Sequence, residues 1–166
     1  MPILGVSGHR PKYWGYSQES HDRLKALVSG FIAESKPTKV LTGMAIGMDM
    51  AVAEVCMELG IPYIAAVPFR GQDSQWPPEA QEKYRYLLAG AQAEIVVSDT
   101  YSDEAFKKRN AYIVANCHSM LVLYNGATRS GTGHTVGLAI RRGLQITNLW
   151  DDFLSANPHI KGKPAS

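Results

Sequence analysis

Residues 39–67 read KVLTGMAIGMDMAVAEVCMELGIPYIAAV, two short strand-like runs on either side of an amphipathic segment. The first run, residues 39–42, leads into a glycine-containing turn. Residues 48–59 have helical periodicity and stop at Gly60, where a glycine commonly caps a helix. A second apolar run follows at residues 62–67. This order is typical of a strand–helix–strand unit whose two strands are parallel.

The same alternation continues along the rest of the chain. Its predicted strands are rich in Val, Ile, Leu and Ala without polar alternation, as in a sheet covered on both faces. We therefore predict an α/β protein with a three-layer α/β/α Rossmann-like fold and a mostly parallel sheet of about six strands. The other predicted strands are residues 3–6, 94–97, 119–124 and 145–150, and the other predicted helices are residues 17–35, 77–91, 103–115 and 134–142.

A chain of 166 residues suits one domain. Residues 1–152 are predicted to form that domain. Residues 153–166 carry Pro158 and Pro164 and are predicted to be a loosely ordered tail.

Composition excludes several classes of function. The formal net charge of +2 gives no general sign of nucleic-acid binding, and no run of eighteen apolar residues predicts a membrane span. Cys56 and Cys117 lie in apolar helix-like segments and are expected to be buried free thiols. With no CxxC pair and no signal-peptide pattern, we expect no metal, no cofactor and a cytoplasmic setting.

The loops at the carboxyl ends of the predicted strands are the expected binding region, since parallel α/β sheets bind ligands there. The strongest of them is residues 123–137, LYNGATRSGTGHTVG, where a predicted helix begins. Gly126, Gly131 and Gly133 lie close together there, with the hydroxyl side chains of Ser130, Thr132 and Thr135 among them. Backbone N–H groups and a positive helix end would make it a phosphate cradle. The alternative is a flexible loop. His134 is expected either to contact the ligand or to cap the helix.

Two earlier loops add charged side chains to this region. In VSGHRP, residues 6–11, Gly8 permits a tight turn and Arg10 offers a planar set of donors for a phosphate or carboxylate. In residues 42–54, Gly43 and Gly47 flank a turn before a helix, although neither a GxGxxG nor a Walker A motif is present. Asp49 is expected to act either as a helix-capping carboxylate or as an acceptor for a ribose hydroxyl or a base edge.

Polar and aromatic side chains mark two further segments. In PFRGQDSQWP, residues 68–77, Trp76 is expected either to stack on a base or to cover the core, and Gln72 could bond to the base edge. In residues 107–110, KKRN, the two lysines suit a solvated helix face. Arg109 and Asn110 lead into an apolar segment and are less easily assigned to the surface.

Five motifs occur in one order: SGHRP, TGMAIGMDMAVAE, VPFRGQDSQWP, KRNAYIVANCHSMLVLYNG and SGTGHTVGLAIRRG. Together they resemble the SLOG superfamily, which joins LOG-type phosphoribohydrolases, DprA/Smf proteins and YpsA/YspA-like proteins. The resemblance covers about residues 3–150 and is greatest to the YspA/YpsA-like branch, some of which is carried by phages. It implies a Rossmann-like sheet, a nucleotide or nucleotide-derived ligand and homo-oligomers. The positions it places around the site are Gly8, Arg10, Gly43, Gly47, Asp49, Asn110, Gly131, Thr132 and Gly133.

The chain departs from the hydrolytic members at one position. Those relatives place a Glu at the start of the helix after the glycine-rich loop, where this chain has Thr135 or a near neighbour. A threonine cannot replace a carboxylate that stabilises or attacks an oxocarbenium-like centre. If the chain is catalytic, the acid would come from Asp49, Asp73 or Asp99.

The prediction is therefore a protein that binds a nucleotide or nucleotide-derived small molecule, for sensing or sequestration. One alternative is a nucleoside 5′-monophosphate N-glycosidase or phosphoribohydrolase. Single-stranded nucleic-acid binding of the DprA type is disfavoured by the low net charge and the lack of an aromatic–basic stripe. The predicted ligand-binding residues are Ser7, Gly8, His9, Arg10, Gly43, Met44, Gly47, Asp49, Arg70, Gln72, Trp76, Asn110, Gly126, Ser130, Gly131, Thr132, Gly133, His134 and Thr135.

Overall fold

Six strands and six helices alternate in the computed structural model, which describes residues 2–10 and 16–160. The strands are β1 (Ile3–Gly8), β2 (Lys39–Thr42), β3 (Tyr63–Val67), β4 (Ala93–Val96), β5 (Ser119–Leu123) and β6 (Gln145–Asn148). The helices are α1 (Gln18–Ser35), α2 (Met48–Leu59), α3 (Pro78–Gly90), α4 (Asp103–Ala115), α5 (Gly131–Arg141) and α6 (Trp150–Ala156).

All six strands form one parallel sheet in the order β4-β3-β2-β1-β5-β6. Strand β1 is central and pairs with β2 on one side and β5 on the other. The chain runs outward from β1 to β4 and then crosses back to β5, so the strand order reverses between β1 and β5. Such a switch point leaves a crevice at the carboxyl edge of the sheet. The predicted α/β/α Rossmann-like fold is confirmed.

Apolar side chains cover both faces of the sheet. In β5, Leu121 and Leu123 belong to one buried cluster and Met120 and Val122 to the other, because successive side chains of a strand point to opposite faces. The first cluster lies under α1, α2, α3 and α6, and the second lies under α4 and α5. This two-sided burial is what the strand composition predicts.

The structure differs from the expected tail over residues 153–160. Helix α6 follows β6 directly, and the side chains of Phe153 and Ile160 belong to the first core cluster. Asn157 is fully buried, and its Nδ2 donates to the Phe153 carbonyl at 2.8 Å. The proline content suggested disorder, but apolar residues spaced along this segment find a surface beside α1. The rest of the predicted tail, residues 161–166, lies outside the described residues.

Two further observations concern the cysteines and the apolar character of the helices. Cys56 and Cys117 are both buried free thiols, as predicted, and burial raises the pKa of Cys56 to about 12. None of the helices described, over residues 2–10 and 16–160, has the length and apolar character needed to span a bilayer.

Charged side chains join three of the four helices on one face of the sheet, α1, α2 and α3. Glu54 of α2 accepts from His21 of α1 at 2.5 Å and from Lys83 of α3 at 3.0 Å. His21 also hydrogen-bonds to the hydroxyl of Tyr16. Burial by itself raises the pKa of Glu54, but His21 and Lys83 outweigh it and hold the pKa below its usual value. The ionised carboxylate therefore stabilises the fold.

We predict that Glu54→Gln lowers the free energy of unfolding at pH 7 by about 1–3 kcal/mol, the usual cost of losing hydrogen bonds to a charged group. A lowered carboxyl pKa contributes stability above the unfolded pKa of about 4.3 and loses it as the pH falls through the folded pKa. The difference between variant and wild type should therefore shrink below about pH 4. Urea unfolding across pH measures it.

Glu58→Gln is the matched control. Glu58 pairs with Lys25 at 2.5 Å, but its side chain is 58% exposed. An exposed pair contributes at most about 1 kcal/mol. Equal losses in the two variants would contradict a special role for Glu54.

Candidate functional site

A cavity of about 310 Å³ lies at the switch point, at the carboxyl end of β1. The end of β1, the β2–α2 turn, α4 and the start of α5 all contribute to its walls. These are elements far apart in sequence that the parallel sheet brings to one edge. The lining residues are Val6, Ser7, Gly8, His9, Arg10, Ala45, Asp49, Phe106, Arg109, Asn110, Ile113, Ser130, Gly131 and Thr132.

The start of α5 supplies main-chain donors to this cavity. Ser130 is the N-cap, and its Oγ accepts from the N–H of Gly133 at 2.9 Å. The first intrahelical bond runs from His134 N–H to the Ser130 carbonyl. The N–H groups of Gly131 and Thr132 precede that bond and therefore stay available at the positive end of the helix dipole. This arrangement favours an anion.

Gly133 is needed for packing rather than for ligand contact. A Cβ at this position would lie 2.6 Å from the Ala127 carbonyl oxygen. Only glycine therefore lets the first turn of α5 sit against the preceding loop. Its N–H is already used by the Ser130 cap, so it is not a donor to the cavity.

The β2–α2 turn and the first turn of α2 bring a carboxylate to the cavity. The N–H of Met44 donates to Thr42 Oγ1 at 3.3 Å, and the N–H of Ala45 donates to Asp49 Oδ2 at 3.2 Å. Both amides are thus satisfied within the turn. From this segment, Ala45 and the side chain of Asp49 line the cavity.

Only one of the two carboxylate oxygens of Asp49 accepts a hydrogen bond from a described residue. Asp49 is 7% exposed, and Oδ1 accepts no hydrogen bond from any described residue. Burial raises the pKa of Asp49, and the charges of Arg109 and Arg10 and the Ala45 N–H only partly oppose this. A ligand hydroxyl or N–H that donates to Oδ1 would satisfy an acceptor that the protein leaves unpaired.

Two guanidinium groups face the same ring in the cavity wall. Arg109, 7% exposed, donates from Nη1 to the Gly43 carbonyl at 2.8 Å and from Nε to Asn110 Oδ1 at 2.8 Å. The guanidinium carbons of Arg10 and Arg109 lie 6.0 and 5.8 Å from the centroid of Phe106. Burial lowers the pKa of Arg109, while the Asp49 charge raises it. The cavity therefore carries positive charge that is poorly solvated.

Gly43 and Gly8 make these approaches possible. A Cβ on Gly43 would strike the Arg109 guanidinium and lie 2.8 Å from Asp49 Oδ2. A Cβ on Gly8 would lie 2.7 Å from Met48 Cγ, at the start of α2. Both glycines act by letting other groups come close.

His9 closes one side of the cavity as a neutral ring. It is 9% exposed and lies 5.5 Å from the ring of Tyr124 and 6.1 Å from that of Trp150 between centroids. Burial lowers the pKa of His9, although a hydrogen bond with Asn125 opposes the shift. The positive charge of the cavity at pH 7 therefore comes from the arginines.

A second and larger cavity, of about 1130 Å³, adjoins the first. Arg10 and Phe106 line both cavities. Trp76 lines the larger one and also packs on the core, with its ring 5.2 Å from that of Tyr84. It therefore covers the core, and its stacking on a base stays a prediction. The other residues around the larger cavity are Tyr16, Ile46, Phe69, Gln72, Ser74, Gln75, Pro77 and Tyr101.

The structure thus gathers some of the predicted ligand-binding residues and leaves others apart. Those that line the smaller cavity are Ser7, Gly8, His9, Arg10, Asp49, Asn110, Ser130, Gly131 and Thr132. Gln72 and Trp76 line the larger one. Those that line neither are Gly43, Met44, Gly47, Arg70, Gly126, Gly133, His134 and Thr135.

Several of these outlying residues have structural partners. Arg70 is exposed and pairs with Glu94 at 3.7 Å, and Thr135 is buried with its Oγ1 donating to the Gly131 carbonyl. Of the three acids considered for catalysis, Asp49 lines the smaller cavity, whereas Asp73 and Asp99 line neither cavity.

Sequence reasoning did not assign Arg109 and Phe106 to the site. A signal for Arg109 was present, because Ala105, Arg109 and Ile113 recur every four residues and are all buried. An arginine in the apolar stripe of a helix requires a buried partner, which here is the Gly43 carbonyl. Phe106 carries no comparable signal.

Comparison with known proteins agrees with this fold. The sequence model of the YspA SLOG family (YpsA) matches residues 4–141. UPF0398 proteins from Bacillus thuringiensis and Bacillus cereus are 21% identical to this chain over 168 residues, covering 93% of this chain and 90% of theirs.

Solved structures share the fold at low identity. DNA processing protein A (DprA) from Streptococcus pneumoniae superposes with a TM-score of 0.64 at 19% identity, covering 95% of this chain but only 55% of that one. The molybdenum cofactor carrier protein of Chlamydomonas reinhardtii superposes with a TM-score of 0.56 at 16% identity, covering 99% of this chain and 89% of that one. The molybdenum cofactor binding protein of Rippkaea orientalis superposes with a TM-score of 0.57 at 17% identity, covering 95% of this chain and 84% of that one. The family match spans most of the sequence, and this chain belongs to the YspA SLOG family.

Proposed function

We propose that this protein binds a nucleotide or a nucleotide-derived small molecule, with an anionic group of the ligand at the start of α5. One observation carries the proposal: unpaired main-chain donors, two arginines and an unpaired buried carboxylate oxygen all line one cavity. A ligand that suits them all has a phosphate and a hydroxylated sugar.

The phosphate is assigned to the side of the cavity formed by Gly131, Thr132 and Arg10. The N–H groups of Gly131 and Thr132 are free of intrahelical bonds, and a guanidinium offers parallel donors to phosphate oxygens. Phosphate charge would also offset the buried charge of Arg109.

The sugar is assigned to Asp49. A carboxylate oxygen without a donor attracts a hydroxyl group, and this oxygen belongs to the only acid that lines the cavity within the described part of the chain. The cavity volume of about 310 Å³ is near the lower end for small-molecule sites. It suits a sugar phosphate rather than a polymer.

Similar structures support a binding role, but their descriptions name different ligands. Two are described as molybdenum cofactor carrier or binding proteins, and the Helicobacter pylori DprA structure is described as having a single-stranded DNA binding mode. A small molecule is the better fit here because the net charge is only +2.

We expect ribose 5-phosphate and at least one nucleoside 5′-monophosphate to raise the melting temperature. At a hundredfold its dissociation constant, a ligand adds about 2.7 kcal/mol, which is roughly 5–10 °C for a chain of this length. Arg10→Gln should weaken binding about tenfold or more, since it removes a charge-assisted hydrogen bond. Differential scanning fluorimetry and calorimetric titration measure both effects.

Arg141→Gln is the control, because this exposed arginine lies in the last turn of α5, at the opposite end from the cavity. It should bind like the wild type. Equal loss of affinity in the two variants, or no binding of either class of ligand, would refute the proposal.

A second experiment tests the role of Asp49. The wild type should bind ribose 5-phosphate about tenfold more tightly than 2-deoxyribose 5-phosphate, because the 2-hydroxyl of the sugar is expected to donate to Oδ1. Asp49→Asn keeps an oxygen for the Ala45 N–H but places a donor where the unused acceptor was. It should therefore abolish the preference, whereas Asp73→Asn should keep it. A preference that survives in Asp49→Asn would remove Asp49 from the sugar site.

N-glycosidic hydrolysis is the second candidate, favoured by the position and burial of Asp49. Binding ranks above it because the first turn of α5, Gly131 to His134, contains no acid. Incubation with nucleoside monophosphates should release no free base on chromatography. Release that Asp49→Asn abolishes and Asp73→Asn and Asp99→Asn preserve would establish hydrolysis instead.

A further inference from the structure

We infer that the larger cavity binds a flat nitrogen heterocycle that presents an N–H donor to Gln72. This inference rests on the proposed function and names the part of the ligand that the smaller cavity does not hold. Three independent features of the larger cavity support it: an unpaired amide oxygen, an aromatic lining and a shared wall with the smaller cavity.

The orientation of the Gln72 amide is fixed by its neighbours. Its nitrogen lies 3.0 Å from the Gly43 carbonyl, which can only accept, so this atom must be the donor Nε2. The same nitrogen lies 3.3 Å from the Tyr84 hydroxyl. Oε1 is therefore on the other branch of the amide, and no described residue donates to it.

The unpaired Oε1 of Gln72 can accept a hydrogen bond from a ligand. Gln72 is only 8% exposed, and it lines the larger cavity. A buried acceptor without a partner costs free energy that a ligand N–H can recover. Since Oε1 has no proton to give, it selects ligands with a donor at their edge.

Aromatic rings dominate the lining. Phe69, Tyr101 and Phe106 contact one another edge to face, with centroids 5.4, 5.6 and 6.0 Å apart. Tyr101 keeps 70% of its surface exposed, which is unusual for a side chain engaged in such a cluster. Trp76 and Tyr16 add two more rings. Aromatic side chains of this kind bind the faces of bases through stacking.

The two cavities are placed to hold one molecule. Arg10 and Phe106 line both, so the anion site and the ring site share a wall. A phosphate at the start of α5, a sugar at Asp49 and a heterocycle near Gln72 follow the covalent order of a nucleotide. Ribose 5-phosphate would occupy the smaller cavity and leave the larger cavity empty.

The test compares ligands that differ only in the heterocycle. Calorimetric titration would use ribose 5-phosphate, AMP and CMP, and the analogues of these two nucleotides that lack the exocyclic amino group, purine riboside 5′-monophosphate and zebularine 5′-monophosphate. AMP and CMP are chosen because the amino group is the only donor on their base edge. Whichever of AMP and CMP binds more tightly should have an affinity at least tenfold higher than that of ribose 5-phosphate. Its deamino analogue should bind about tenfold more weakly than the parent nucleotide.

A pair of variants separates ring binding from phosphate binding. Tyr101→Ala should weaken the nucleotide about fivefold or more, as loss of a stacking ring does, and leave ribose 5-phosphate unchanged. Tyr86→Ala is the control, since this residue is 66% exposed on α3 and does not line the cavity. It should change neither affinity.

The outcomes distinguish the inference from the function on which it rests. If ribose 5-phosphate binds and the nucleotides bind no more tightly, or if the deamino analogues bind as well as their parents, the assignment of the heterocycle to Gln72 is wrong and the proposed function stands. If neither ribose 5-phosphate nor any nucleotide binds, both are overturned.

Discussion

The carbonyl of Gly43 is the point on which both cavities depend. It accepts from Arg109 Nη1 at 2.8 Å and from Gln72 Nε2 at 3.0 Å. These two bonds tie α4 and the β3–α3 loop to the end of β2. Each donor side chain is buried and lines a different cavity, so one backbone oxygen sets the position of both. A glycine is required because a Cβ would occupy the space of the Arg109 guanidinium.

The contacts around Gly43 also hold two charged side chains, Asp49 and Arg109, where they are poorly solvated. Burial raises the pKa of Asp49 and lowers the pKa of Arg109, so the surroundings disfavour the charged form of each. Attraction between the two groups, and the hydrogen bonds to Ala45 and Gly43, offset part of this cost. Groups held with incomplete compensation are typical of binding sites, since a ligand supplies what is lacking.

Much of the fold follows from local patterns in the sequence. The apolar runs predict the four inner strands, β1, β2, β3 and β5, because these are largely buried on both faces. The glycine at position 60 ends α2 in a left-handed conformation with φ of 71°. The position of the site follows as well, because parallel strands bring their carboxyl ends to one edge. The error at residues 153–160 has a physical origin, since burial of Phe153 and Ile160 depends on a surface that only the folded chain presents.

The details of the site depend on contacts that a sequence does not record. Glycines predict where the backbone can approach a ligand, but not which N–H groups are already used. The Gly133 N–H is taken by Ser130, and the Ala45 N–H by Asp49. Gln72 lies 29 residues and Arg109 lies 66 residues from Gly43 along the chain, and only the tertiary fold pairs them with it. Long-range hydrogen bonds of this kind decide the chemistry of the site.

Similarity to the solved structures does not identify the ligand, because the fold and the side chains at its edge determine different properties of a site. The solved neighbours share the sheet at 15–19% identity and differ in what their descriptions name. A common sheet fixes where a ligand lies, whereas the side chains at its edge fix which ligand is held. In this chain, Asp49 and Gln72 each offer an unpaired acceptor, and the start of α5 offers donors. The ligand proposed here would have to match all three at once, which is a stronger restriction than any one glycine-rich loop imposes.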